Sequence, residues 1–338
     1  MMNVELYTTI PGSVPQDRLQ FIREIKRIST QSERYGCKGI LVYSDNSLAD
    51  PWVVATVILD HTRKLIPMIA LQPAYMHPYT VAKKISTVAL VYGRRIALNL
   101  VAGGYTNDLK ALNDPTKHDE RYERLTEYTE IIQQLLTSKK GVTYEGKHYQ
   151  IKNLKLKPEL SDDLQPLYYL SGSSSAAKET SARLGIPGIE YPEPIETYSQ
   201  PNGNSSIGGI RIGILARHSH AKAWNDARKR FPETRNGKML HQFAKNASDS
   251  KWHEKLSDHN GSEQTDEPVY WLGPFKHYHT FCPYLVGDYH EVAKELLAYL
   301  QAGCSTCIID TPVSELELHS TVQVFNRAYE KLEQQEQV

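Results

Sequence analysis

His118 and Tyr122 stand four apart in Pro115-Thr116-Lys117-His118-Asp119-Glu120-Arg121-Tyr122, so a helix there would carry an imidazole and a phenol on one face. Both side chains can bond an anion. Just upstream, Ile96 to Val101 reads as a strand carrying Asn99 and leading to Ala102, and the chain breaks at Gly103-Gly104. A polar loop follows, and a helix is expected from near Pro115, with Thr116 as its N-cap and Asp119 as the acidic partner three residues on. A strand end, a glycine turn and a polar pair on one helix face outline a cofactor pocket. They also describe an ordinary strand-helix unit with a capping histidine, and the spacing alone leaves both open.

A second group is Ser171-Gly172-Ser173-Ser174, between a predicted strand (Leu167 to Leu170) and a predicted helix (Ser174 to Leu184). Backbone amides at a helix N-terminus, with hydroxyls beside them, suit a dianionic phosphate, although such turns also serve as simple caps. Arg211, within the predicted strand Ile210 to Ala216, is a cation that could face an anionic substrate or lie at the surface. Lys276 and His277, in Gly273-Pro274-Phe275-Lys276-His277-Tyr278-His279, are further candidates at a pocket mouth. The pairs His218/His220 and His277/His279 have loose metal spacing without carboxylate or thiolate partners nearby in sequence, and no metal is expected. Cys304 and Cys307 have CxxC spacing, but on a strand they would point to opposite faces, so buried structural thiols are expected.

The elements that must position these groups alternate. Strands are expected at Val4 to Thr8, Gly39 to Tyr43, Leu65 to Leu71, Ile96 to Val101, Leu167 to Leu170, Ile186 to Tyr191, Ile210 to Ala216 and Cys304 to Asp310, nearly all separated by helical periodicity. Their near-continuous apolar character argues for a parallel sheet buried on both faces. Periodicity alone fits an open doubly wound sheet almost as well as a (β/α)8 TIM barrel. After the sixth strand, QPNGNSSIGG stands where a crossover helix would lie, so that crossover is expected to be shortened. Residues 232–285 between the seventh and eighth strands open polar and read as an insertion, the kind that forms lids over a barrel's C-terminal face. With 39 Lys plus Arg against 39 Asp plus Glu, there is no global field for nucleic acid or an anionic membrane. No apolar run has membrane-spanning length and no secretory pattern opens the sequence; the expectation is a soluble, cytoplasmic protein.

Four segments, in order, resemble the flavin-pocket motifs of the bacterial-luciferase-like flavin-dependent monooxygenases, and most resemble the FMNH2-dependent alkanesulfonate branch. They are Gly39 to Val42 with Asp50 to Ala55, Asn99 to Gly104, His118 to Tyr122, and Leu170 to Ala177. The resemblance implies a single (β/α)8 barrel domain spanning 1–338 that binds FMN as FMNH2, supplied by a separate NAD(P)H:FMN reductase. O2 would be activated as a C4a-peroxyflavin, acting on a small organic substrate, anionic or neutral. It implies that Asn99 and Ala102 flank the isoalloxazine edge, and that His118, Tyr122, Ser171, Gly172, Ser173 and Ser174 serve the phosphate. Arg211 matches an active-site arginine, and Lys276 or His277 would stand in for a mobile-loop arginine; these three and His118 are the catalytic candidates. The chain departs from the sulfonate branch at Leu48 (cysteine there), Gly213 (histidine) and Thr311 (tyrosine), and often-found threonine is replaced by Ala102. The flavin shelf is thus kept while the substrate chemistry is rewritten. Two alternatives follow: a deazaflavin-dependent hydride-transfer relative, and a barrel that binds flavin without turnover. Family members are usually homodimers or homotetramers.

Overall fold

The computed structural model describes residues 4–12, 17–198, 207–259 and 267–336. Eight strands correspond to the expected ones: β1 (Glu5–Thr9), β2 (Gly39–Val42), β3 (Ile66–Leu71), β4 (Ala97–Val101), β5 (Leu167–Ser171), β6 (Gly188–Glu190), β7 (Gly209–Arg217) and β8 (Thr306–Ile309). Their hydrogen-bonded order is β8–β1–β2–β3–β4–β5–β6–β7, and β7 returns to β8, the cyclic order of a (β/α)8 barrel. Residues on both faces of β2 and β7 are buried, which explains the unbroken apolar run of β2 and the near-continuous one of β7, interrupted by Arg211. The chain divides into two compact units: residues 10–30 with 39–188, and residues 1–9 and 31–38 with 189–338.

In the first unit, β2, β3 and β4 pair in parallel, and β4 pairs with β5 so that Asn99 faces Tyr169 and Val101 faces Ser171. Helix Pro51–His61 starts where it does because the Asp50 carboxylate accepts from the Val53 amide and Pro51 takes the first turn. Helix His118–Thr137 begins one residue later than a Thr116 cap would place it, with Lys117 at the N-cap position. Thr116 does not cap it: the Thr116 amide and hydroxyl both donate to Asp114, whose other oxygen is held by Arg124 at 2.6 Å. The stretch read as a polar loop holds a short helix, Thr106–Ala111, anchored by buried Leu109. Beyond the long helix, Val142–Glu145 and Gln150–Leu154 form an antiparallel hairpin.

In the second unit β7 is the axis. Along a parallel strand, alternate residues bond to opposite edges. Ile212 accepts from the Asp310 amide on the β8 edge, whereas the Gly213 amide donates to Pro283 on the other. That other edge is paired first by β6, opposite Gly209 and Ile210, and then by a strand the sequence reading missed, Tyr284–Asp288, opposite Gly213 to Arg217. The sixth strand is therefore only three residues long, half the expected length, and a later segment completes its edge. Between β6 and β7 the described residues hold one 3-10 turn, Ile195–Thr197; the 200–206 part of the expected loop lies outside the described residues. The polar stretch after helix His220–Arg230 contains two helices, Arg235–Ala247 and Lys251–Asp258.

All four cysteines are free and buried. Cys304 precedes β8 rather than lying on it, so its sulfur meets Cys307 at 3.6 Å instead of facing away. No helix among the described residues is long and apolar enough to cross a membrane, and no group of three or more His, Cys, Asp or Glu among them could hold a metal.

Candidate active site

At the C-terminal ends of β4 and β5 the Ser171 hydroxyl donates to Asn99 Oδ1 at 2.8 Å, tying two candidate residues across the sheet and fixing the Asn99 side chain. The chain then turns at Gly172, where φ is +152° and a Cβ would lie 2.6 Å from the Tyr122 hydroxyl and 2.9 Å from Ala177 Cβ. Only glycine lets the phenol approach the turn that closely. Ser174 caps helix Ser175–Leu184 by accepting from the Ala177 amide at 3.2 Å. The Ser173 hydroxyl is buried and has no hydrogen-bond partner among the described residues. A buried hydroxyl left unbonded costs about 1–3 kcal/mol, and a phosphate at this helix N-terminus would remove that cost. Ser173, the Ser174 cap, the Gly172 turn and Tyr122 therefore fit a phosphate-bearing flavin.

The His118 and Tyr122 rings lie 5.3 Å apart, and His118 Nδ1 is 2.7 Å from Asp119 Oδ1. Ala102 is buried at the end of the strand, and Gly103 turns with φ +102° against Gln72 and Leu109. A cavity of about 450 Å³ in the same unit is lined by residues after β2 and β3, including Leu48, Asp50, Trp52 and Tyr75. Leu48 thus lines a pocket at the position where the sulfonate branch carries its cysteine.

Arg211 is buried in the other unit. Its Nη1 donates to the Tyr191 hydroxyl at 2.9 Å, and its guanidinium stands 5.4 Å from that ring, which stacks on Trp252 at 3.9 Å. Burial lowers its pKa, opposed by Cys282, Asp310 and Tyr284. Asp310 accepts from both the Tyr284 and Thr280 hydroxyls at 2.7 Å. Burial holds the Tyr284 phenol well above its usual pKa, with the Asp310 charge acting in the same direction, so it stays protonated. The space where the sulfonate branch has a histidine is taken: a Cβ on Gly213 would lie 2.2 Å from the Tyr284 ring. Tyr284, Asp310 and Tyr191 were invisible to sequence reasoning as partners of Arg211. Gly213 hinted that something else fills that volume, but nothing in spacing points to a residue 71 positions away. Thr311, at the family's tyrosine position, accepts from Arg230 through its carbonyl. Lys276 and His277 lie with Arg211 in this second unit, at the end of the short helix Gly273–Lys276.

A model of the luciferase-like monooxygenases matches residues 2–306. The chain belongs to the luciferase-like monooxygenase family. It is 34% identical over 319 residues, 92% of this chain and 93% of the other, to the 4-(γ-L-glutamylamino)butanoyl-[BtrI acyl-carrier protein] monooxygenase BtrO of Niallia circulans. Among solved structures it resembles the long-chain alkane monooxygenase LadA, with TM-score 0.73 at 15% identity over 99% of this chain and 92% of that one. It also resembles an F420-dependent secondary alcohol dehydrogenase, with TM-score 0.67 at 16% identity over 97% and 99% of the two chains. This luciferase-like monooxygenase is accordingly a flavin-dependent enzyme that incorporates molecular oxygen.

Proposed function

We propose that the flavin is reduced FMN, delivered by a separate NAD(P)H:FMN reductase, and that the substrate is a small organic molecule bearing an acyl or carboxylate group. The observation that carries the cofactor assignment is the buried Ser173 hydroxyl, without a partner among the described residues, at a helix N-terminus beside a Gly172 turn that admits the Tyr122 phenol. In this reading Ser171 to Ser174 and Tyr122 hold the phosphate, and Asn99 and Ala102 flank the ring. His118, with Nδ1 engaged by Asp119, handles a proton at its other ring nitrogen. When bound, reduced FMN supplies the electrons that activate O2. Arg211 holds an anionic substrate group, and Lys276 and His277 also bind substrate. The insertion at 232–285 acts as a lid that excludes water during turnover.

The likeness to the carrier-protein monooxygenase, at 34% identity over nearly the whole length, favours an acyl thioester on a carrier protein as the form of that substrate. The fold shared with an F420-dependent enzyme makes hydride transfer from a deazaflavin the reading to separate. Anaerobic titration with reduced FMN and with reduced F420, followed by 18O2 and mass spectrometry of acyl thioester products, does so. Saturable binding of reduced FMN and one 18O atom in the product are expected. Preference for F420 with no 18O incorporated would overturn the reading.

A further inference from the structure

A second cavity, of about 520 Å³, lies within the insertion and is lined by Lys238, Lys276, His241, His277, Trp271 and Glu233 among others. That volume suits a small ligand. Its charge is lopsided. The Lys276 ammonium is partly buried and donates to the neutral carbonyl of His259 at 2.6 Å. Burial lowers its pKa, and the carboxylate that opposes this, Asp258, is itself bonded by Lys245. The Lys276 charge in turn contributes, after burial, to holding His241 below the usual histidine range. His277 is 5% exposed, and neither of its ring nitrogens has a hydrogen-bond partner among the described residues.

Glu233 shows what the cavity accepts. Its carboxylate stands 3.4 Å from Lys238 Nζ and 3.7 Å from His277 Nε2, yet its side chain is 71% exposed. An exposed ion pair of this kind is worth at most about 1 kcal/mol, so an incoming anion displaces it at little cost. Gly273 packs its backbone against the Trp271 indole, which gives the cavity an apolar wall beside the cations.

We propose that this cavity is a binding site for a small oxyanion on an apolar stem, a carboxylate or a phosphate ester. Lys276 and Lys238 supply the charge, His277 the hydrogen bond, and Glu233 occupies the anion position when the ligand is absent. The proposal gives Lys276 and His277 a defined ligand class and stands apart from the flavin assignment.

The test is isothermal titration of the full chain with glutarate and with inorganic phosphate, using neutral glutaramide as control. Saturable 1:1 binding of at least one anion, and none of glutaramide, is expected; which anion binds separates carboxylate from phosphate. Lys276→Met should weaken it at least tenfold, and Glu233→Gln, which removes the internal competitor, should tighten it severalfold. The gain in Glu233→Gln keeps the test decisive even if Lys276→Met fails to fold. No saturable heat from either anion, equal binding of glutaramide, or an affinity indifferent to Glu233→Gln would overturn the proposal. FMN affinity, measured on the same variants, reports separately on the flavin reading.

Discussion

Gly213 and Tyr284 face each other as a cross-strand pair, and the tyrosine ring covers the glycine so closely that no side chain fits there. The two residues are one solution to one volume: a ring delivered from a neighbouring strand in place of a side chain on β7. Gly213→His should therefore destabilise the protein by about 1–3 kcal/mol through overpacking, and Gly213→His with Tyr284→Ala should recover part of the loss. Chemical denaturation of the three proteins checks this, and a double variant no better than the single one would refute it. Ser173 and Ser174 make a second contrast. Ser174 accepts from the Ala177 amide, so Ser174→Ala should cost about 0.5–2 kcal/mol of stability. The Ser173 hydroxyl has no partner among the described residues, so Ser173→Ala should not lower stability but should weaken FMN binding by about 1.5–3 kcal/mol, roughly ten- to a hundredfold. Melting temperatures and fluorescence titration with FMN distinguish the two. FMN affinity unchanged by Ser173→Ala would mean that the phosphate is held elsewhere.

Most of the elements were legible because most barrel strands are short, largely apolar runs and most of their helices show a 3.6-residue period. Val4 to Thr8 and Ile210 to Ala216 needed no more than that. What escaped depended on distant partners. Tyr284–Asp288 becomes a strand because the odd-numbered edge of β7 is left open beyond the three residues of β6, and nothing local to the segment says so. Cys304 was assigned to a strand that begins two residues later, which reversed the expected direction of its thiol. The insertion looked merely polar, yet its histidines form a packed layer. His241 and His253 stack at 5.3 Å, Ser257 stands between their ring nitrogens, and Phe275 closes edge-on against both. Burial, with His241 beside it, pushes the His253 pKa down to about 4. An unfolded histidine titrates near 6.5, so between about pH 6.5 and 4 the unfolded chain binds a proton that the folded one refuses. Stability should therefore fall as the pH drops through that window and level off below it. His253→Phe, which keeps the aromatic contact and removes the titration, should flatten the slope of melting temperature against pH; an unchanged slope would show that other groups cause it.

At the scale of the whole molecule, charge is the informative quantity. Lysine plus arginine equals aspartate plus glutamate over the 338 residues, so no long-range field draws a particular partner to this enzyme. Reduced FMN delivered by another protein, as proposed, would come either through a specific docked complex or by diffusion, and steered encounter would contribute little to the rate. The proposed flavin site favours diffusion, because its phosphate position would be built from a helix N-terminus and hydroxyls of this chain. Turnover should follow the concentration of free reduced FMN, whichever reductase generates it, and should change little with ionic strength between about 50 and 200 mM. Measuring product formation with two unrelated NAD(P)H:FMN reductases, at matched reduced-FMN levels, tests this. Equal rates are the expected outcome. Saturation in one reductase and not in the other would point to direct transfer within a complex, and the docking surface would then have to be sought in local patches, since the net charge gives it no help.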